Sequence, residues 1–195
     1  MFFSRLIDRC RPWRLCLLPG PLKGPMPELH PEMQVIIKAR EGIPVTASID
    51  DERLNWTTYS ARLTEPPGGD MQIDDLGIAA EGRTVAVRRY RPAALADDPC
   101  APAVTYLHGG GLMKADLDSS DAIVWGYAER GQAVAFSVDY RLTPEHPYPA
   151  ALNGAYAVTE HLCENASALG LDGTRIAIAG DSAGGNLAPA VCRVC

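Results

Sequence analysis

The sequence predicts an α/β protein, with a mostly parallel central sheet flanked by helices. Three strand-length runs, 103–107 (AVTYL), 133–140 (AVAFSVDY) and 175–180 (RIAIAG), are continuously apolar rather than alternating, as strands buried on both faces are. Segments of helical period separate them. Two of the three strands run at their carboxyl ends into glycine-rich loops, HGGG and GDSAGG, and the carboxyl edge is where open α/β sheets hold their ligands.

In chain order, residues 1–25 differ from the rest, with five basic residues, one acid and several prolines. They read as a mis-started or disordered extension, and Met26 is a natural beginning. Residues 26–69 form an N-terminal segment. In it Pro31 suits a first helical turn, Met33, Ile36, Ile37 and Arg40 share one stripe, and Gly42 marks the stop. Residues 43–70 are mixed and close on the breaker cluster EPPGGD.

From Met71 the body begins with a hairpin: MQIDDLGIAA, the turn EGR, then TVAVRRYRP with Val85 and Val87 on one face. After the 103–107 strand, Ser119 or Ser120 suits the cap of a helix carrying Ile123, Val124, Tyr127 and Ala128, with Gly131 beyond its end. After the 133–140 strand, Leu152, Ala155, Tyr156, Thr159 and Leu162 share one face of another helix. Right-handed crossovers then build the open sheet over residues 70–195.

A chain of 195 residues, 47% hydrophobic, supports one domain with a substantial core. The formal net charge of −6 and the lack of a basic stripe argue against a nucleic-acid partner. No apolar run reaches the roughly 18–20 residues needed to span a bilayer. The six cysteines have no framework spacing and no secretory signal precedes them, which places the chain in a reducing cytoplasm. Cys192 and Cys195 spell C-x-x-C, but no second pair or βαβ start places them as in a redox fold.

His108 to Gly111 is poor helix and poor strand. Its glycines offer backbone that takes positive φ and approaches a ligand closely, with amides free to cradle an anion; they equally suit a flexible connector. GDSAGG satisfies G-x-S-x-G at Gly180, Ser182 and Gly184, the pattern of a nucleophile elbow, in which a strained strand-to-helix turn exposes a serine between small neighbours. The pattern alone is weak. Here it follows a predicted buried strand, precedes the helix-like NLAPAV and shares an edge with HGGG.

HGGG, DYRLTPEHPYPAAL (139–152) and GDSAGGN (180–186), in this order, resemble the hormone-sensitive-lipase-like group of α/β-hydrolase esterases. The resemblance covers roughly residues 70–188, and makes 26–69 cap-like. It implies a carboxylic ester hydrolase acting on short or medium acyl esters, a small-molecule partner, with no metal and no cofactor. It assigns Ser182 as nucleophile, the amides of Gly110, Gly111 and Ala183 as oxyanion hole, and His108 and Gly109 as loop support, Gly109 making the turn. Asp181 is local to the elbow and is not the triad acid. Leu112 stands where an aromatic commonly follows the glycines, which leaves the substrate open.

In this fold the acid and histidine of the triad follow the serine in the chain. After Ser182 this sequence has neither. The expectation is therefore the N-terminal part of an α/β-hydrolase fold lacking its last strands, from a C-terminally truncated or frameshifted product: Pro189 intrudes on the last helix, and CRVC reads like another frame. Two function classes follow. One is a serine esterase, inactive as written. The other is a non-catalytic fragment or binding module that forms oligomers through the exposed edge of the 175–180 strand. His108 and His146 are weaker alternatives as base, and His30 and His161 read as surface or packing residues.

Overall fold

The computed structural model describes residues 28, 30–64, 70–80 and 82–194; the extension read from residues 1–25, and Cys195 of the C-x-x-C, lie outside them. The chain divides into two units, residues 1–35 and 36–195. Of the first, the described residues carry the opening turns of helix α1 (Pro31–Arg40). Gly42, at φ +74°, lies just beyond that helix. The predicted stripe of Met33, Ile36 and Ile37 is exposed.

A second helix, α2 (Ile49–Ala61), occupies much of the stretch that composition describes as mixed. Ser48 caps it by accepting from the Asp51 amide, and Asp50, Asp51 and Glu52 complement the helix dipole in its first turn. It carries no apolar stripe because its contacts are largely polar. Glu52 pairs with Lys114, whose ammonium sits 4.9 Å from the centroid of the Trp56 ring, and Thr57 donates to Asp116.

Strands β1 (Met71–Ala80) and β2 (Arg83–Pro92) form the expected antiparallel hairpin, turning through Gly82 at φ +73°. Then follow β3 (Ala101–Leu107), α3 (Leu117–Gly131), β4 (Val134–Val138), α4 (Ala150–Glu164), β5 (Leu171–Gly180) and α5 (Ser182–Val194). The sheet order is β1-β2-β4-β3-β5, with β4, β3 and β5 mutually parallel and β2 antiparallel to β4. Both faces are covered. Helix α3 packs on β2, β3 and β4 over Tyr90, Val104, Tyr106, Val124, Ala128 and Ala135; α4 and α5 pack on the other face over Val87, Leu107, Phe136, Ala155, Leu162 and Val191. The apolar runs of β3 and β4 are buried for this reason.

Three local expectations are corrected. β5 stands at the edge of the sheet among the described residues, as expected, but its 175–180 run is not buried on both faces: Arg175 and Ala177 are exposed. Helix α3 is capped by Asp116, not by Ser119 or Ser120. Asp116 accepts from the Ser119 amide while the Ser119 hydroxyl accepts from the Asp116 amide, a reciprocal box. Gly131 is its last residue and Gln132, at φ +46°, makes the left-handed cap; Ile123 and Tyr127 stay exposed while Val124 and Ala128 are buried.

Pro189 does not interrupt α5, which runs through it to Val194. An interior proline costs about 3 kcal/mol. Leu187 and Val191 are buried on the sheet side, and burying such side chains contributes roughly 1.5–3 kcal/mol each. The two together offset the lost backbone bond.

Candidate active site

β3 is the point where the sheet order reverses. Its chain successor β4 lies on one side and β5 on the other, so a crevice forms at their carboxyl ends. Leu107 ends β3 directly opposite Gly180, which ends β5. The register therefore places HGGG beside GDSAGG.

The elbow is built by contact with β3. A Cβ on Gly180 would stand 2.6 Å from the Leu107 carbonyl oxygen, and one on Gly184 would stand 1.8 Å from it and 2.7 Å from that of His108. Glycine is required at both positions because backbone occupies the space of a side chain. Ser182, squeezed between them, takes φ +49° and is exposed. A non-glycine residue in that region stores on the order of 1–3 kcal/mol of strain, sustained by the surrounding packing. Its hydroxyl has no hydrogen-bond partner among the described residues, and Ala183 follows it in the first turn of α5.

The opposite loop turns at Gly110 (φ +111°) and Gly111 (φ +67°), and Leu112 (φ +62°) and Ala115 (φ +80°) are also left-handed. Gly109 is not the turn-maker, since its φ is not positive. It is glycine because a Cβ there would lie 2.2 Å from Asp181 Oδ2. Gly110 must be glycine on both counts: the Lys114 carbonyl oxygen lies 2.2 Å from its would-be Cβ. The Gly110 carbonyl accepts from the amides of Met113 and Lys114, whereas the amides of Gly110 and Gly111 meet no acceptor among the described residues.

Five side chains hold this loop. Asp181 Oδ1 accepts from the Gly109 amide at 2.7 Å and from the Tyr106 hydroxyl at 2.6 Å. His108 is 1% exposed; its Nδ1–H donates to the Gly109 carbonyl at 2.7 Å, and its ring stacks on Tyr140 with centroids 4.2 Å apart. The Tyr140 hydroxyl donates to the His108 carbonyl. Arg53 reaches across from α2, donating to the Met113 and Thr143 carbonyls and, through both terminal nitrogens, to the Glu145 carboxylate. Thr143 closes the set, giving its amide and hydroxyl to the Leu112 carbonyl. The 139–152 motif thus buttresses the glycine loop.

Burial dominates the electrostatics. Desolvation lowers the His108 pKa and keeps the ring neutral, with the bond to Gly109 opposing in part. Desolvation first, and the Asp181 carboxylate second, push the Tyr106 hydroxyl well above its usual range. Arg53 holds the Glu145 carboxyl down at about 2.

No described histidine hydrogen-bonds to the Ser182 side chain. His108 Nε2 is buried without a partner. His146 lines a separate cleft of about 600 Å³ with Arg53, Asp116, Tyr140, Arg141 and Glu145. His161 sits on α4 beside Asn165, and His30 precedes α1. Among the described residues no cluster of His, Cys, Asp or Glu is arranged to hold a metal, and no helix is long and apolar enough to cross a membrane.

Arg53 is the participant that sequence reasoning missed, and Asp181, read as local to the elbow, also reaches across to Gly109. Arg53 lies in a stretch without an apolar pattern, and the position of Asp181 inside the elbow was the only hint of its contact with Gly109.

A strand–elbow–helix unit packed against a glycine loop on a mixed sheet defines an α/β-hydrolase. Residues 104–195 match the family of that name, the alpha/beta hydrolase fold. The chain is 37% identical over 163 residues to esterase LipI of Mycobacterium tuberculosis, across 82% of this chain and 50% of that protein. It is 36% identical over 169 residues to an ethyl acetate hydrolase of Pseudomonas putida, across 83% and 52%. Its structure superposes on a hyperthermophilic esterase of Pyrobaculum calidifontis with TM-score 0.76 at 34% identity, covering 85% of this chain and 53% of that one. The chain belongs to the α/β-hydrolase fold family, in the hormone-sensitive-lipase-like esterase group that its three motifs resemble, and it spans about half the length of the relatives it matches.

Proposed function

We propose that these residues are the nucleophile half of a carboxylic ester hydrolase. Ser182 attacks, and the amides of Gly110, Gly111 and Ala183 receive the developing oxyanion, with His108 and Gly109 supporting the loop. The observation that carries this reading is Ser182 at φ +49°, exposed at the end of β5 and set beside the glycine loop by the Leu107–Gly180 register.

The Ser182 oxygen adds to the ester carbonyl carbon. Its proton passes to a base, and the carbonyl electrons move onto the oxygen facing the three amides. Collapse expels the alcohol, which takes up the proton, and leaves an acyl-serine that water cleaves. Each oxyanion donor is worth roughly 3 kcal/mol of barrier because the charge exists only in the intermediate. No described histidine is placed to take the proton, so the base and its acid partner come from outside the described residues. Esters of short or medium acyl chains are the substrate class, in keeping with relatives named esterase and ethyl acetate hydrolase.

The test is p-nitrophenyl acetate with the 195-residue chain and its Ser182→Ala variant. The expected result is no Ser182-dependent turnover, because triad loss removes several orders of magnitude in rate. Robust turnover abolished by Ser182→Ala would place the base within this chain.

The open β5 edge favours a second reading, a module that pairs through this strand. It predicts oligomers in light scattering, and a monodisperse monomer would dismiss it. Cys100, Cys163 and Cys192 are free thiols, in keeping with a reducing cytoplasm as the setting.

A further inference from the structure

We infer that Asp181, the residue before the proposed nucleophile, is the positioning residue of the oxyanion hole. It fixes the glycine loop to the elbow so that the amides on either side of the reacting carbon keep one geometry. The inference rests on the ester-hydrolase reading for its meaning, but its structural content stands on separate contacts.

The amides of the proposed hole come from two chain segments, 110–111 and 183, that meet only through the ends of β3 and β5. Strand pairing fixes the segments as far as Leu107 and Gly180. Beyond that register the glycine loop has four left-handed residues within 110–115 and no regular hydrogen bonding across to the elbow. Asp181 supplies the missing cross-link. One oxygen, Oδ1, accepts both the Gly109 amide and the Tyr106 hydroxyl, while Oδ2 packs where a Gly109 side chain would stand. Tyr106 is fully buried in β3 under α3, so its hydroxyl fixes the carboxylate against the sheet. Turning the Gly109 amide toward Asp181 assigns it to the scaffold, and the next two amides, after the turn at Gly110, carry no acceptor among the described residues.

The loop has other anchors, His108 from beneath and Arg53 from outside. Both bind carbonyls or carboxylates of the glycine-loop side and its buttress. Among the described residues, Asp181 is the side chain that joins the elbow to the glycine loop. Losing it leaves an intact fold with a mobile hole, which is a loss in stabilising the transition state rather than in stability. The acceptor matters more than the charge: an asparagine with its oxygen in the Oδ1 position keeps both bonds.

The experiment compares the 195-residue chain with Asp181→Ala, Asp181→Asn and Ser182→Ala by amide hydrogen exchange at Gly109 to Gly111. A parallel titration uses phenylboronic acid, which adds to a serine oxygen as a tetrahedral anion. Asp181→Ala is expected to speed exchange at Gly109 by tenfold or more and to weaken boronate binding about tenfold, with its melting curve still cooperative. Asp181→Asn restores both. Unchanged Gly109 exchange in Asp181→Ala overturns the inference whatever the boronate does, as does equal loss in Asp181→Asn. If the unaltered chain binds boronate no better than Ser182→Ala, the hydrolase reading fails, and exchange at Gly109 still decides whether Asp181 holds the loop.

Discussion

The Leu107 carbonyl oxygen and the Gly184 backbone are packed so closely that a Cβ on Gly184 would lie 1.8 Å from that oxygen. This contact seats the elbow helix on β3 and forces Ser182 into its left-handed conformation. Gly184→Ala therefore cannot be accommodated by side-chain adjustment; backbone must move. We expect a loss of about 3 kcal/mol or more in urea unfolding, at the upper end of what overpacking costs. Gly185→Ala, whose Cβ would meet its nearest neighbour at 3.2 Å, should cost clearly less.

Helix α3 begins at the far end of the glycine loop, and Asp116 is its cap. Asp116→Ala should cost about 1 kcal/mol, the usual value for losing a cap, with Asp116→Asn recovering most of it. A loss below a few tenths in the same unfolding assay would mean that the reciprocal Asp116–Ser119 box contributes nothing to α3.

His108 gives the fold a pH dependence of definite sign. Burial lowers its folded pKa below the ordinary 6.5, so as pH falls through 6.5 the unfolded chain binds a proton that the folded chain resists. Stability contributed by the neutral ring is present above pH 6.5 and declines below it. Stability measured from pH 7.5 to 5 should fall in the unaltered chain and stay flatter in His108→Gln, once the constant cost of that substitution is subtracted. Parallel profiles would show that His108 does not titrate as described.

The Arg53–Glu145 pair acts in a lower window. The folded Glu145 pKa of about 2 lies beneath the ordinary 4.5, so its contribution is present above pH 4.5 and is lost as pH falls toward 2. Both partners are substantially solvated, so the effect on stability is small. Exchange at Met113 is the better probe, because Arg53 also binds its carbonyl. Arg53→Ala should loosen that segment at pH 7, whereas the effect of Glu145→Gln should be full at pH 7 and shrink progressively as pH falls from 4.5 toward 2.

The parallel sheet was legible because β3 and β4 are covered on both faces, and their apolar runs say so. The run of β5 reads the same way, and although its exposed edge was expected, its burial was not legible, since an apolar run records what a strand is suited to contact rather than what covers it. Helix α2 was hidden for the opposite reason: its contacts through Glu52, Arg53 and Thr57 are polar and leave no stripe. Ser182 and the two glycine loops were legible because close backbone approach admits few residue types. Asp181 was read as local to the elbow, and its bond to Gly109 across 72 positions of sequence could only be seen once β3 and β5 were paired.

The central claim is that Ser182 faces a formed oxyanion hole even where no base is at hand. Single-turnover acetylation by p-nitrophenyl acetate, mapped by peptide mass spectrometry, tests it most directly. Residual catalysis by the hole should acetylate Ser182 at least about 100-fold faster than the exposed Ser167, in keeping with what one or two oxyanion donors contribute, and the acetyl group should persist. Acetylation of Ser182 no faster than that of Ser167 would contradict the claim.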